Sequence, residues 1–175
     1  MTTGTLTRPS LAQLESTAVW LALLMLAIGL HIFESALPSL GPWFMPGRAN
    51  IVTLLALELI GPGAAATLAL GRVVIGSFFI GTLFTPTFVI SLSGALAATA
   101  VMLLAWRVLP AVSLVGISLL GALSHMGAQF VVVEHLFIKQ DVLYYALPPL
   151  LLLSCATGWM NGALAAYMTS RLKSR

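Results

Sequence analysis

Ionisable side chains inside the apolar runs of this sequence are the residues whose chemistry most needs an explanation. If those runs cross a bilayer, each such group costs at least about 2.5–3.5 kcal/mol and needs a partner or a purpose. The candidates are His31, Glu34, Glu58, Arg72, His125, Glu134 and His135. Glu34, Glu134 and His135 lie near the ends of their runs, where a side chain reaches the headgroups at little cost, and His31 is one turn from such an end.

Arg72 and Glu58 lie deeper, on either side of the turn Gly61-Pro62-Gly63. On ideal helices rising about 1.5 Å per residue, their heights above this turn differ by about 9 Å, which two long side chains can bridge. One interpretation is therefore a buried Glu58–Arg72 ion pair that locks a helical hairpin. The other is that Arg72 binds an anionic or carbonyl-bearing ligand, since its planar fork of donors suits such groups.

A second pattern is a stripe of small and polar residues at steps of three and four, which places Ser118, Gly121, His125 and Gln129 on one helix face. Small residues let another helix approach closely, and His125 and Gln129 need hydrogen-bond partners in a dry interior. The stripe either joins helices or lines a ligand pocket, and Ser91 fits both arrangements.

Since a zinc site needs about three or four protein ligands and no such spacing occurs, we expect no metal. His31, His125 and His135 could in principle ligate haem, but none has a compelling helical partner, so we expect no cofactor.

The amino-acid composition indicates which medium surrounds these helices. Hydrophobic residues make up 59% of the 175 residues and charged residues only 7%, with a mean hydropathy of +1.04. A soluble domain carries about a quarter charged residues, so the sequence indicates an integral membrane protein. With a single aspartate, no paired aspartates could hold magnesium, and no Walker loop, nucleophile elbow or zinc-protease motif appears. We therefore expect no enzyme activity.

The apolar runs predict an all-α, six-helix transmembrane bundle as one domain over residues 17–169, with the second helix re-entrant in a five-span alternative. The tails are residues 1–16 and 170–175. The predicted spans are Thr17–Phe33, Ala49–Ile60, Ala64–Leu83, Phe88–Trp106, Ala111–Val133 and a helix from Pro148-Pro149 to about Met168. Basic residues then favour cytoplasmic termini in a bacterial inner membrane: five lie inside (Arg8, Arg107, Arg171, Lys173, Arg175) and two outside (Arg48, Lys139).

Several ordered blocks resemble a known family. GPWFMPGRANIVTLLALELIG (residues 41–61) resembles a proline-rich segment that runs into a helix, and RVVIG (72–76), TPTF (85–88), SLSG (91–94) and HMGAQ (125–129) match later blocks. Together they resemble the Gx transporter family, labelled heptaprenyl diphosphate synthase component I. That family is similar to the substrate-binding S components of energy-coupling factor (ECF) vitamin transporters.

The resemblance implies a six-helix protein that binds a small molecule near its outer face. The segment Leu37–Gly47 would be a gate, with Trp43 and Phe44 covering the ligand and Arg48 and Asn50 supplying polar contacts at the next helix entrance. The alternative is an interfacial loop anchored by Trp43.

The first helix carries Ala18 and Ala22, a close-packing face of the kind with which S components dock on their transmembrane partner. The prediction is a substrate-binding subunit of an uptake transporter, with ATPases on separate chains and a flavin-like vitamin or isoprenoid precursor as ligand. The alternatives are a non-catalytic subunit for isoprenoid or quinone synthesis and a subunit of a membrane redox complex.

Overall fold

The computed structural model describes residues 11–36, 50–137 and 141–173, and side chains for 15–35, 50–137 and 143–172. These residues are helical almost throughout, which confirms the all-α prediction. Six α-helices follow one another: α1 (Leu11–Ala36), α2 (Asn50–Leu59), α3 (Pro62–Ile80), α4 (Pro86–Val108), α5 (Leu114–Val132) and α6 (Leu147–Lys173). A π-helical turn, Val133–Phe137, extends α5, and a 3-10 turn, Asp141–Ala146, precedes α6.

Five of the six helices are long and apolar enough to cross a membrane. The exception is α2, whose 10 residues rise about 15 Å, half of a hydrocarbon core of about 30 Å. Six helices are therefore present as predicted, but the expectation of six full spans is not met within the described residues. The sequence 37–49, which precedes α2, lies outside them.

Glycine and proline define the helix boundaries. Gly61 has φ 130° and precedes Pro62 at the first position of α3, while Gly81 has φ 77° and ends α3 in the left-handed conformation. Both φ values favour glycine because a side chain would strain the backbone there. Pro86 begins α4 in the same way, since a helix loses no hydrogen bond to proline at this position. These turns reverse the chain, so α2 and α3 are antiparallel, as are α3 and α4.

Small residues set the closest helix contacts. α5 packs between α4 and α6. A Cβ added at Gly158 of α6 would lie 2.8 Å from the Ala122 side chain, and one at Gly162 would lie 2.6 Å from the Val115 Cα. Such close backbone approach is the usual way in which membrane helices gain packing energy, because lipid offers no hydrophobic drive between them.

The short helix α2 occupies the middle of the bundle. It contacts α1, α3, α5 and α6, and its residues from Asn50 to Leu57 are all buried. A helix surrounded by protein is apolar on every side, which explains why α2 shows no polar face in its central turns. The long helices instead leave large apolar side chains exposed, for example Met25, Phe79 and Leu152, as expected for a surface that faces lipid.

Candidate functional site

Polar side chains from four helices converge on one cleft in the bundle. α1, α3, α4 and α5 each contribute two residues, and the lining is His31, Glu34, Arg72, Val73, Ser91, Ala95, His125 and Gln129. The space between their atoms is about 270 Å³, including its open side. Its enclosed part holds about one water molecule. Four of the eight ligand-binding residues predicted from the sequence (Arg72, Ser91, His125 and Gln129) are thus together, and a fifth is adjacent.

That fifth residue is Asn50, the first residue of α2. The Arg72 Nη2 donates a hydrogen bond of 2.7 Å to the Asn50 Oδ1, and the bond is buried. Each residue lies eleven positions from Gly61, so an antiparallel hairpin brings them to the same height. Asn50 therefore holds the guanidinium of Arg72 at the edge of the cleft.

The acidic group that acts on Arg72 is Glu34 of α1, whose carboxylate is close enough to attract the guanidinium. Glu58 is eight residues beyond Asn50 on α2, about 12 Å further along the helix axis. The contacts that the structure gives for Arg72 are thus the Asn50 hydrogen bond and the Glu34 charge, and the Glu58–Arg72 ion pair stays a prediction.

His31 and Glu34 are site residues that the sequence pattern does not predict. The pattern places both near the end of the first span, yet each is at least 94% buried because α1 continues to Ala36. His31 lies directly on α3, where a Cβ at Gly76 would be 2.5 Å from its Cδ2. Their spacing of three residues on one helix face was the available signal.

His125 and Gln129 of α5 form the opposite wall. Gly94 of α4 makes room for them: a Cβ there would lie 2.8 Å from the His125 Cε1 and 3.0 Å from the Gln129 Cγ. Ser91 precedes Gly94 by one turn and is also buried. The stripe predicted on α5 therefore faces α4, with its small residues at the helix contact and its polar residues at the cleft.

Several polar atoms of this wall have no partner among the described residues. Both amide atoms of Gln129 and the Nε of Arg72 are buried without a hydrogen bond, whereas the His125 ring interacts with the Gly94 backbone of α4. His125 thus contacts the facing helix, as the helix-joining interpretation expects, and the unpaired Gln129 fits the pocket interpretation. Buried polar groups rarely lack partners, and such groups indicate bound water or a ligand.

Three further predicted ligand-binding residues, Trp43, Phe44 and Arg48, lie outside the described residues, as does the predicted gate Leu37–Gly47. Ala18 and Ala22 lie on the exposed side of α1. Within the described ranges, no three His, Cys, Asp or Glu side chains are grouped so as to hold a metal ion.

Chemically, the cleft offers one cation opposed by one carboxylate, two imidazoles and one amide. Together with the Ser91 hydroxyl, these groups give a concave site whose hydrogen-bonding side chains can bind a small polar molecule.

The sequence matches one known family. The family described as heptaprenyl diphosphate synthase component I matches residues 23–168, which is 146 of the 175 residues. No curated protein and no solved structure matches the chain. The match covers every residue of the cleft and all six helices in whole or in part. This many-helix membrane-type protein belongs to the heptaprenyl diphosphate synthase component I family.

Proposed function

We propose that this protein is a non-enzymatic, substrate-binding subunit of a membrane transporter, which takes a small molecule into the cleft between α1, α3, α4 and α5. The observation that supports this most strongly is that the unpaired buried atoms of Arg72 and Gln129 converge with the His125 ring upon one cleft. A ligand that bonds to them would recover the free energy lost by burying them, about 1–3 kcal/mol for each group.

The position of α2 supports binding within the membrane rather than at its surface. Because α2 begins halfway along the bundle, its first residue meets Arg72 at about the bilayer midplane. Interrupted helices are typical of transporter sites, where a half-helix places its first turn at the substrate. The proposal includes an inner bacterial membrane, cytoplasmic termini and S-component-like reorientation against a partner with separate ATPases.

The partner would dock on the exposed face of α1. Ala18 and Ala22 are exposed to the surroundings of the bundle, so another helix could approach α1 closely at this point. This role depends on the resemblance to S components, and the exposure of both alanines is compatible with it.

The experiment is native mass spectrometry of the purified protein, with identification of the small molecules released on unfolding. We expect a ligand bound one to one in the wild type and lost in His125→Phe, which keeps an aromatic ring but removes both nitrogens. Thr99→Val is the matched control, since Thr99 is a buried unpaired residue outside the cleft lining. Wild-type protein that binds no molecule would contradict the proposal.

The family description favours a second candidate, a non-catalytic membrane subunit of a polyprenyl diphosphate synthase. The same purification distinguishes the two, because a co-purified prenyltransferase would support this candidate and co-purified ATPases the transporter. A cofactor-containing partner without a small ligand would instead support a membrane redox complex.

A further inference from the structure

The unpaired atoms of the cleft are of both hydrogen-bonding kinds. The Arg72 Nε–H is a donor, a neutral imidazole has one donor and one acceptor, and the Gln129 amide has two donor hydrogens and an acceptor oxygen. Within the described parts of the chain the Arg72 Nε and the Gln129 amide have no partner, and of the two His125 nitrogens one is left beside the ring's contact with the Gly94 backbone. A ligand that satisfied them all would need both N–H or O–H donors and carbonyl-type acceptors.

Acceptor-only ligands do not meet this requirement. A carboxylate, phosphate or diphosphate would accept hydrogen bonds from Arg72 and from the amide nitrogen of Gln129. It would leave the Gln129 Oε1 and the acceptor nitrogen of His125 unpaired. A site built for a donor rejects analogues that lack it, because its own polar groups then stay buried without partners.

The charge of the cleft leads to the same conclusion. Arg72 is 98% buried and Glu34 is 94% buried, and the carboxylate acts on the guanidinium. With the two formal charges of the lining opposed, an ion of charge −2 or −3 would face Glu34 as well as Arg72. A ligand without net charge avoids this repulsion and its own large desolvation cost.

The shape of the walls favours a flat ligand. The His31 ring lies against Gly76 and the His125 ring against Gly94, so both rings are recessed into neighbouring helices. The enclosed space holds about one water molecule, so any ligand must move these walls apart, and a thin heterocycle requires the smallest movement.

From these observations we infer that the ligand of the cleft is an uncharged, planar nitrogen heterocycle with an amide or imide edge, which Gln129 recognises through paired hydrogen bonds. The inference depends on the proposed binding function and specifies its substrate class. Gln129 is then the residue that determines specificity, with His125 as the second hydrogen-bonding group and Arg72 bonded to a ligand carbonyl.

The test compares three probes by thermal shift on the full-length protein in detergent: uracil, 1,3-dimethyluracil and geranyl diphosphate. Uracil has the imide edge, dimethyluracil has the same ring without N–H donors, and geranyl diphosphate is an acceptor-only anion. We expect uracil alone to raise the unfolding temperature of the wild type, with affinity at least about tenfold weaker in Gln129→Leu. Thr99→Val should bind uracil like the wild type.

Three results would overturn the inference. Stabilisation by geranyl diphosphate alone, or equally by uracil and dimethyluracil, would show that the donor edge is not recognised. Undiminished uracil binding in Gln129→Leu would remove Gln129 from recognition. Absence of any shift, together with a released native ligand that lacks an N–H beside a carbonyl, would also overturn it.

The proposed binding function is judged separately, by whether wild-type protein carries any small molecule that His125→Phe loses. A ligand of different chemistry would overturn the substrate class and leave the binding function supported. A protein that binds neither probe nor native ligand would overturn both.

Discussion

Gln129 and His125 are the residues at which stability and function oppose each other in this protein. Both side chains are almost wholly buried; Gln129 has no hydrogen-bond partner among the described residues, and His125 interacts only with the Gly94 backbone there. A membrane interior offers no general supply of water to such groups, so they destabilise the ligand-free protein unless something binds them. The same unpaired atoms would give a ligand its affinity.

Replacing Gln129 with leucine should therefore stabilise the ligand-free protein while abolishing ligand binding. Leucine has a similar volume and no polar atoms, so we expect the free energy of unfolding to rise by about 1–3 kcal/mol. The measurement is thermal unfolding of ligand-free protein in one detergent. Ser154→Ala is the control, because the Ser154 hydroxyl already donates 2.7 Å to the Ala122 carbonyl and its removal should bring no gain. An unchanged or lower unfolding temperature in Gln129→Leu would mean that ordered water already satisfies the amide.

Gly94→Ala should weaken binding and also destabilise the contact between α4 and α5. Its Cβ would come within 2.9 Å of the His125 Nδ1, so the ring must shift from its place in the cleft wall. The control is Gly127→Ala on α5, where an added Cβ meets nothing within 4 Å and helix propensity improves by about 0.5–1 kcal/mol. Ligand occupancy measured by native mass spectrometry should fall in the first variant alone. Equal occupancy in both would place His125 outside the binding surface.

At the scale of elements, the hairpin of α2 and α3 fixes the height of the only arginine in the described lining. Asn50 and Arg72 meet because the Gly61 turn lies midway between them, and α1 adds Glu34 from the other side. α4 and α5 contribute the amide and imidazole groups across a contact that depends on Gly94. The site is therefore shared among four helices, and a relative movement of α1 or α3 against α4 and α5 would open or close it.

Asn50→Leu should destabilise the protein by about 1–3 kcal/mol or more, because it leaves a buried guanidinium without its hydrogen-bond acceptor. Asn50→Asp keeps an acceptor at the same position and should retain most of the stability. Chemical or thermal unfolding of both variants measures the difference. Thr53→Val, one turn further along α2, is the control, since the Thr53 hydroxyl is buried without a bond. If Asn50→Leu and Thr53→Val behave alike, the Asn50–Arg72 bond does not anchor the site.

For the whole molecule, the distribution of exposed apolar side chains around α1 and α6 describes a bundle surrounded by lipid, with α1 the least buried of the five long helices. Among the described helices, α1 therefore leaves the largest share of its side chains available to another chain. This is the surface on which the transporter proposal places the partner.

The double variant Ala18→Leu, Ala22→Leu should leave the isolated protein as stable as the wild type, since both positions are exposed. It should nevertheless reduce co-purification of a transmembrane partner, because the larger side chains hold the partner helix away from α1. Ala156→Leu on α6, also exposed, is the matched control. Quantitative mass spectrometry of the co-purified proteins is the measurement. Unchanged partner recovery would exclude this face of α1 as the docking surface.

The orientation of the helices across the membrane is a separate prediction. If the termini are cytoplasmic, the turn between α4 and α5 faces the cytoplasm and the turn between α3 and α4 faces outward. In a Cys155→Ser background, which removes the single native cysteine, Ser113→Cys should resist an impermeant thiol reagent in intact cells and Thr82→Cys should react. The reverse labelling would invert the proposed topology.

The amino-acid sequence by itself determined that this protein is all-helical and suited to a lipid environment. Low charge and long apolar runs required membrane helices, and the glycine and proline turns fixed where α3 and α4 begin. The equal spacing of Asn50 and Arg72 from Gly61 was also available, and so was the polar stripe on α5, because both depend only on positions along one helix or hairpin.

The tertiary structure decided which of these residues meet. A long arginine side chain can extend toward either end of its helix, so spacing could not choose between Asn50 and Glu58 as its partner. Helical periodicity gives the face of a residue but not the helix opposite that face, which is why His31 and Glu34 were assigned to a span end and not to the cleft. The pairing of α1 with α3 and of α4 with α5 supplied that information. It converted separate polar residues on four helices into a single site.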